Sequence, residues 1–157
     1  MSNPIAILSA MRTPMGGMMG SLSSLSASDL GGVAISSAIS KSGLNAPDID
    51  EVLMGSVLTA GQGQAPARQA ALAAGLPVST TCTTVNKVCG SAMKSIMLGG
   101  NALRSGQASV VVAGGMESMS GAPYLLPQAR QGYRFGHAQM LDHMQYDGLQ
   151  DAYQGVA

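Results

Sequence analysis

Across Thr83-Thr84-Val85-Asn86-Lys87-Val88-Cys89-Gly90-Ser91-Ala92-Met93-Lys94-Ser95-Ile96 the chain passes without a break from strand-forming to helix-forming residues. The β-branched run over residues 80–85 predicts a strand. Gly90 to Arg104 predicts a helix, with Gly106 just beyond it. Only a tight turn remains between the two, and it carries Cys89. A strand, a turn and a helix in this order place the Cys89 sulfur at a helix N-terminus. There, unpaired N–H groups and the helix dipole favour negative charge, the form in which sulfur is a nucleophile. The same N–H groups suit the oxyanion of a thioester or tetrahedral intermediate. Gly90 lets a ligand approach the backbone closely. Position alone favours the plainer reading, a small cysteine packed beneath the helix.

Moving outward, short apolar runs alternate with helical segments. Ile5-Ala6-Ile7-Leu8 reads as a buried strand, and the Gly- and Ser-rich residues 11–24, with Pro14, as a loop. A helix is expected to start near Ser28-Asp29, either of which can cap it. It carries Leu30, Val33, Ala34 and Ala38 at spacings of three and four, with Lys41 in its last turn and Gly43 after it. Val52-Leu53-Met54 with Val57-Leu58 reads as a second strand. Pro66 then opens a helix over residues 67–74 that is mostly alanine, so a neighbour can approach its backbone closely. Ser109-Val110-Val111-Val112-Ala113 is the fourth strand expected. Strands this apolar on both faces belong in a mostly parallel sheet covered by helices on both sides, an α/β layered fold. The period is lost after Gly114. Residues 121–154 read as a long loop region with one short helix. The expected division is an α/β domain over residues 1–118 and the start of a covering loop region over 119–157.

Composition narrows the function. Charged residues make up 10% of the 157 and the net charge is zero, so there is no electrostatic footprint for nucleic acid. So few charges leave little with which to cover an exposed surface, and point to a piece of a larger assembly. The sequence shows no leader pattern at its start and no apolar run of membrane-spanning length, so a cytoplasmic location without a membrane partner is expected. Two cysteines, Cys82 and Cys89, are too few for a disulfide framework. Twelve methionines against one phenylalanine predict a core filled by thioethers.

Val85-Asn86-Lys87-Val88-Cys89-Gly90-Ser91-Ala92-Met93 closely resembles the acyl-enzyme signature of thiolases. Further stretches are similar to that family in the same order. They are Ser9-Ala10-Met11-Arg12-Thr13-Pro14 with Gly16; Gly55-Ser56-Val57-Leu58; Gly61-Gln62-Gly63-Gln64-Ala65-Pro66-Ala67-Arg68-Gln69-Ala70-Ala71; Ala113-Gly114-Gly115-Met116-Glu117-Ser118-Met119-Ser120; and Asp147-Gly148-Leu149 with Asp151-Ala152. The resemblance implies an acyl-CoA C-acyltransferase of the acetyl-CoA acetyltransferase or 3-ketoacyl-CoA thiolase type. Cys89 would be the acyl-accepting catalytic residue and Leu149 a lining residue of the pantetheine channel. It implies no cofactor beyond the CoA thioesters themselves, and a dimer or tetramer. It also implies a catalytic His, an acid/base Cys, an oxyanion-hole Asn and a fifth strand of the sheet, all drawn from family regions that these 157 residues do not contain. The chain alone is therefore expected to be inactive. A ketoacyl-ACP synthase, with the same fold and a Cys at the same turn, and a non-catalytic interaction fragment are the alternatives. The Asn86–Ser91 residues and the Gly-Gly-Met-Glu-Ser loop favour thiolase over the synthase.

The remaining candidates read more plainly. Cys82 is expected to be strand packing, and its spacing from Cys89 matches no metal motif. His137 and His143 fall where the family has no catalytic His and read as loop residues, with Asp142-His143 a supporting pair only if a site lies nearby. Gly114-Gly115 and Gly61-x-Gly63 form no dinucleotide fingerprint. Arg12, Arg68, Arg104, Arg130 and Arg134 are positive groups without an assigned role. Met116 and Met119 read as interface or core packing.

Overall fold

A computed structural model describes residues 4–156; Met1, Ser2, Asn3 and Ala157 lie outside the described residues. Three parallel strands form the central sheet, β1 (Glu51–Gly55), β2 (Thr81–Val85) and β3 (Val111–Gly115), in the order β2-β1-β3. Their registers bring Gly55, Val85 and Gly115 level at the C-terminal edge. Three helices cover the sheet, α1 (Ala27–Ser42), α2 (Pro66–Ala73) and α3 (Ser91–Ser105). β1 lies between the other two strands and is buried on both faces. On one face Val52 and Met54 meet Ile35 and Ile39 of α1 and Ala67, Ala70 and Ala71 of α2 in the main core. Burying a side chain such as Ile35 or Val52 in full contributes about 1.5–3 kcal/mol. α3 covers the other face: an ideal Cβ at Gly99 would lie 3.0 Å from Val111 Cγ1 and 3.6 Å from Ala113 Cβ.

The α/β class, the parallel sheet and the three helices match the sequence reading, and Gly43 and Gly106 end α1 and α3 in left-handed geometry. Several details differ. Ile5-Ala6-Ile7-Leu8 is no strand; Ile7 is 86% exposed. A strand exists only through a neighbour's ladder, and among the described residues no strand joins the outer edge of β3. The segment instead runs past the helices: Ile5 Cδ1 lies 3.8 Å from an ideal Cβ on Gly100, and Ser9 Oγ donates to the Ala38 carbonyl at 2.7 Å. β1 stops at Gly55, because the Val57 and Leu58 N–H groups donate to the Glu117 carboxylate and not to a ladder. β3 begins two residues late for a similar reason, since Asp50 Oδ2 accepts from Ser109 and Val110 N–H.

α1 starts at Ala27, with Ser26 as its cap in a reciprocal capping box with Asp29. Its buried stripe is Gly31, Gly32, Ile35 and Ile39, while Val33 is exposed. Close approach to α2 decides this face: an ideal Cβ at Gly32 would lie 3.0 Å from Ala73 Cβ, and one at Gly31 3.2 Å from Ala70 Cβ. The alanine surface of α2 is used as expected. The core is also not built of thioethers. Met54 and Met116 are buried, whereas Met15, Met18, Met19, Met93 and Met97 are exposed. Beyond residue 118, the expected loop contains an antiparallel hairpin of β4 (Tyr124–Leu125) and β5 (Leu141–Asp142) and a π-helix, Met144–Leu149. Among the described residues no helix is long and apolar enough to cross a membrane.

Candidate active site at the turn after β2

Val85 ends its strand with its carbonyl accepting from Ser56 N–H at 3.0 Å, and the chain then turns through residues 86–90 into α3. Asn86 Oδ1 accepts from Val88 N–H at 2.9 Å, closing the first part of the turn. Val88 then adopts φ +46°, the left-handed region that a β-branched residue rarely enters. Strain of this kind costs about 1–3 kcal/mol and persists only where neighbours hold it. Ser91 is that neighbour. Its buried hydroxyl accepts from Lys87 N–H at 2.8 Å and donates to the Val88 carbonyl at 2.6 Å. Gly90 has φ −88°, so the turn places its strain on Val88 and not on the glycine. The result presents Cys89 exposed, one residue before the cap of a helix that has no side-chain cap of its own.

Two glycines seat that helix end. An ideal Cβ at Gly55 would lie 2.6 Å from Ala92 N, and one at Gly115 2.7 Å from Ala92 Cβ. No larger residue fits at either position unless α3 lifts from the sheet. The loop leaving β1 is pinned beside them, since the Glu117 carboxylate accepts from Val57 N–H at 2.7 Å and from Leu58 N–H at 3.3 Å. Sequence reasoning missed Gly55, Gly115 and Glu117 as positioning residues. The available signal was small residues level with one another at the ends of the two strands flanking α3, followed by an acid.

Cys82 lies half-buried against the main core on the α1/α2 face. Burial pushes its thiol up, and the nearby Arg68 charge opposes this only in part. That environment disfavours the thiolate and supports the packing reading. Arg68 itself donates to the Val78 carbonyl at 2.9 Å. His137 is exposed. His143 is buried, and its partner is Asp147 at 2.6 Å, not Asp142, whose carboxylate instead accepts from Met144 N–H. Among the described residues no hydrogen bond joins either histidine to Cys89. Leu149 is half-exposed at the end of the π-helix. No group of three or more His, Cys, Asp or Glu residues among those described is placed to hold a metal ion.

The family profile for the thiolase N-terminal domain matches residues 5–157. The chain belongs to the thiolase family. Among its thiolase relatives is an acetyl-CoA acetyltransferase of Schizosaccharomyces pombe, 51% identical over 152 residues, covering 97% of this chain and 38% of that protein. Another, from Pseudomonas aeruginosa, is 52% identical over 149 residues, covering 95% of this chain and 38% of the relative. The acetyl-CoA acetyltransferase of Saccharomyces cerevisiae is 53% identical over 159 aligned positions, covering 100% of this chain and 40% of the relative. The chain thus spans about two fifths of the length of these thiolases. The parallel sheet with helices on both faces agrees with a thiolase N-terminal domain.

Proposed function

We propose that Cys89 is the acyl-accepting nucleophile of an acyl-CoA C-acyltransferase, a reading supported by relatives named acetyl-CoA acetyltransferases. The observation that carries this reading is an exposed thiol on a turn strained at Val88, held at the N-terminus of α3 by the buried Ser91 hydroxyl. The Cys89 thiolate attacks the thioester carbonyl. The C–S bond to CoA breaks, and CoA leaves as a thiolate that takes up a proton. In the condensing direction a second acyl-CoA gives up an α-proton, and its carbon attacks the acyl-Cys, forming a C–C bond and returning the Cys89 thiolate. In the cleaving direction the CoA thiol attacks the acyl group left on Cys89 after a 3-ketoacyl chain is split. Dividing the reaction through a covalent intermediate lowers its hardest barrier. Leu149 lines the pantetheine channel in this reading, and no cofactor beyond CoA is used.

In this reading the groups that move protons to and from Cys89 are those the thiolase resemblance draws from family regions beyond these residues; among the described residues, His143 is engaged by Ala60 N–H and Asp147. The activity therefore needs the remaining thiolase sequence, and the working protein is a homo-oligomer. The experiment is a thiolysis assay with a 3-ketoacyl-CoA on the purified chain, with and without the C-terminal part of a relative added. The expected result is turnover only after addition, lost in Cys89→Ala. Full turnover by the chain alone would contradict the division of the site, and transfer from acyl-ACP but not acyl-CoA would contradict the substrate class.

A further inference from the structure

We propose that His143 is a positioning residue that fixes the Leu149 segment against the loop leaving β1, through a neutral imidazole protonated on Nδ1. The role at the substrate rests on the acyl-CoA reading above. The imidazole sits between two partners. Nε2 faces the Ala60 N–H at 3.3 Å, and Nδ1 lies 2.6 Å from Asp147 Oδ2. A backbone N–H can only donate, so Nε2 must be the acceptor and Nδ1 must carry the proton it shares with the carboxylate. The same residue's own N–H donates to the Pro123 carbonyl at 3.1 Å, so its backbone is held as firmly as its ring.

The contacts form a continuous path from the nucleophile's helix to the π-helix. The first turn of α3 rests on Gly55, the Glu117 carboxylate holds Val57 and Leu58, and Ala60 meets His143. Leu58 is buried, and an ideal Cβ at Gly148 would lie 3.1 Å from Leu58 Cδ2, so Leu149 follows a residue already seated on that loop. The segment between is a π-helix closed by Gln150 N–H donating to the Gln145 carbonyl at 2.8 Å. π-helical turns are rare and are frequently found at functional sites. Here the turn spans the interval from His143 to Asp147 and ends on Leu149. Glu117 and Asp142 do not compete for the ring, as the first is engaged by the loop amides and the second by Met144 N–H.

Two measurements on the 157-residue chain, with the C-terminal part of a relative added, test this. The first is the ¹⁵N imidazole spectrum of the unaltered protein at neutral pH. A protonated Nδ1 and a bare Nε2 are expected for His143, and protonation on Nε2 overturns the proposal. The second compares alkylation of Cys89 by chloroacetyl-CoA and by chloroacetamide. In both, the sulfur displaces chloride, but only the first reagent carries pantetheine. The unaltered chain is expected to prefer the CoA reagent. His143→Ala is expected to lower that preference roughly three- to tenfold, the effect of one or two lost hydrogen bonds. His143→Gln, whose amide oxygen reaches the Nε2 position, restores most of it, while His143→Asn, which reaches only Asp147, does not. An unchanged preference in His143→Ala overturns the positioning role. Absence of any preference in the unaltered chain overturns the acyl-CoA reading together with the role at the substrate, and in that case an Nδ1–H signal still upholds the docking geometry.

Discussion

The two faces of the sheet are built differently. The α1/α2 face is finished: Ile35, Ile39, Val52, Met54 and Leu76 are buried together, and α1 closes over α2 through Gly31 and Gly32. The α3 face has one helix, whose inner side is buried through Ser91, Ser95, Gly99 and Ala102 while Met93, Ile96 and Met97 on its outer side are exposed. The first face holds the fold and the second carries the proposed chemistry, because Cys89 sits just before the start of α3. Small residues serve opposite ends on the two faces. In α1 they let two helices touch, and at Gly55 and Gly115 they let a helix end rest on strand ends.

Ile35→Ala strikes the finished face and has the largest expected effect. Truncating a fully buried isoleucine costs about 2–5 kcal/mol, to be read from the urea midpoint, with little change in Cys89 alkylation at concentrations where the chain stays folded. Gly55→Ala strikes the other face. Its Cβ would meet Ala92 N at 2.6 Å, and overpacking of this kind costs about 1–3 kcal/mol. This variant, unlike Ile35→Ala, is expected to alter the alkylation rate of Cys89 in the folded protein, since α3 must shift. Equal effects of both variants on Cys89 would break the division between the faces.

The strand–turn–helix around Cys89 was legible because a β-branched run, a glycine and an alanine- and leucine-containing segment follow one another without interruption. Local propensity and fold agree there. The buried face of α1 was not legible, since close approach to Ala70 and Ala73 selected glycines where the apolar period pointed to Leu30 and Val33. Ile5-Ala6-Ile7-Leu8 misled for a related reason, as an apolar run reveals a strand only if a neighbour pairs with it. Glu117 and His143 were beyond reach because each acts on backbone amides about sixty and eighty residues away. No local pattern encodes such partners.

Asp50 sharpens the comparison at the opposite edge of the sheet, where it ties the start of β3 to β1. The Ser109 and Val110 N–H groups hold its carboxyl below the ordinary value of 3.8. A lowered folded value stabilises above the ordinary carboxylate range and loses that contribution as pH falls through it. Asp50→Asn is therefore expected to lower the urea midpoint near neutral pH and to flatten its decline toward acid. The smallest effect is expected on the outer side of α3. Met97→Lys stays within about 0.5 kcal/mol of the unaltered chain, because Met97 is 56% exposed. A larger loss would mean that this side is already covered, by a second copy of the chain, and sedimentation would show it.

The turn after β2 is proposed to present an acyl-accepting thiol. Its most direct test is the intact mass of the chain after incubation with acetyl-CoA, followed by peptide mapping, alongside Cys89→Ala and with the C-terminal part of a relative added to each. The account predicts a gain of one acetyl group, mapped to Cys89 and absent in Cys89→Ala. Acetylation elsewhere, or a gain that persists in Cys89→Ala, would contradict it.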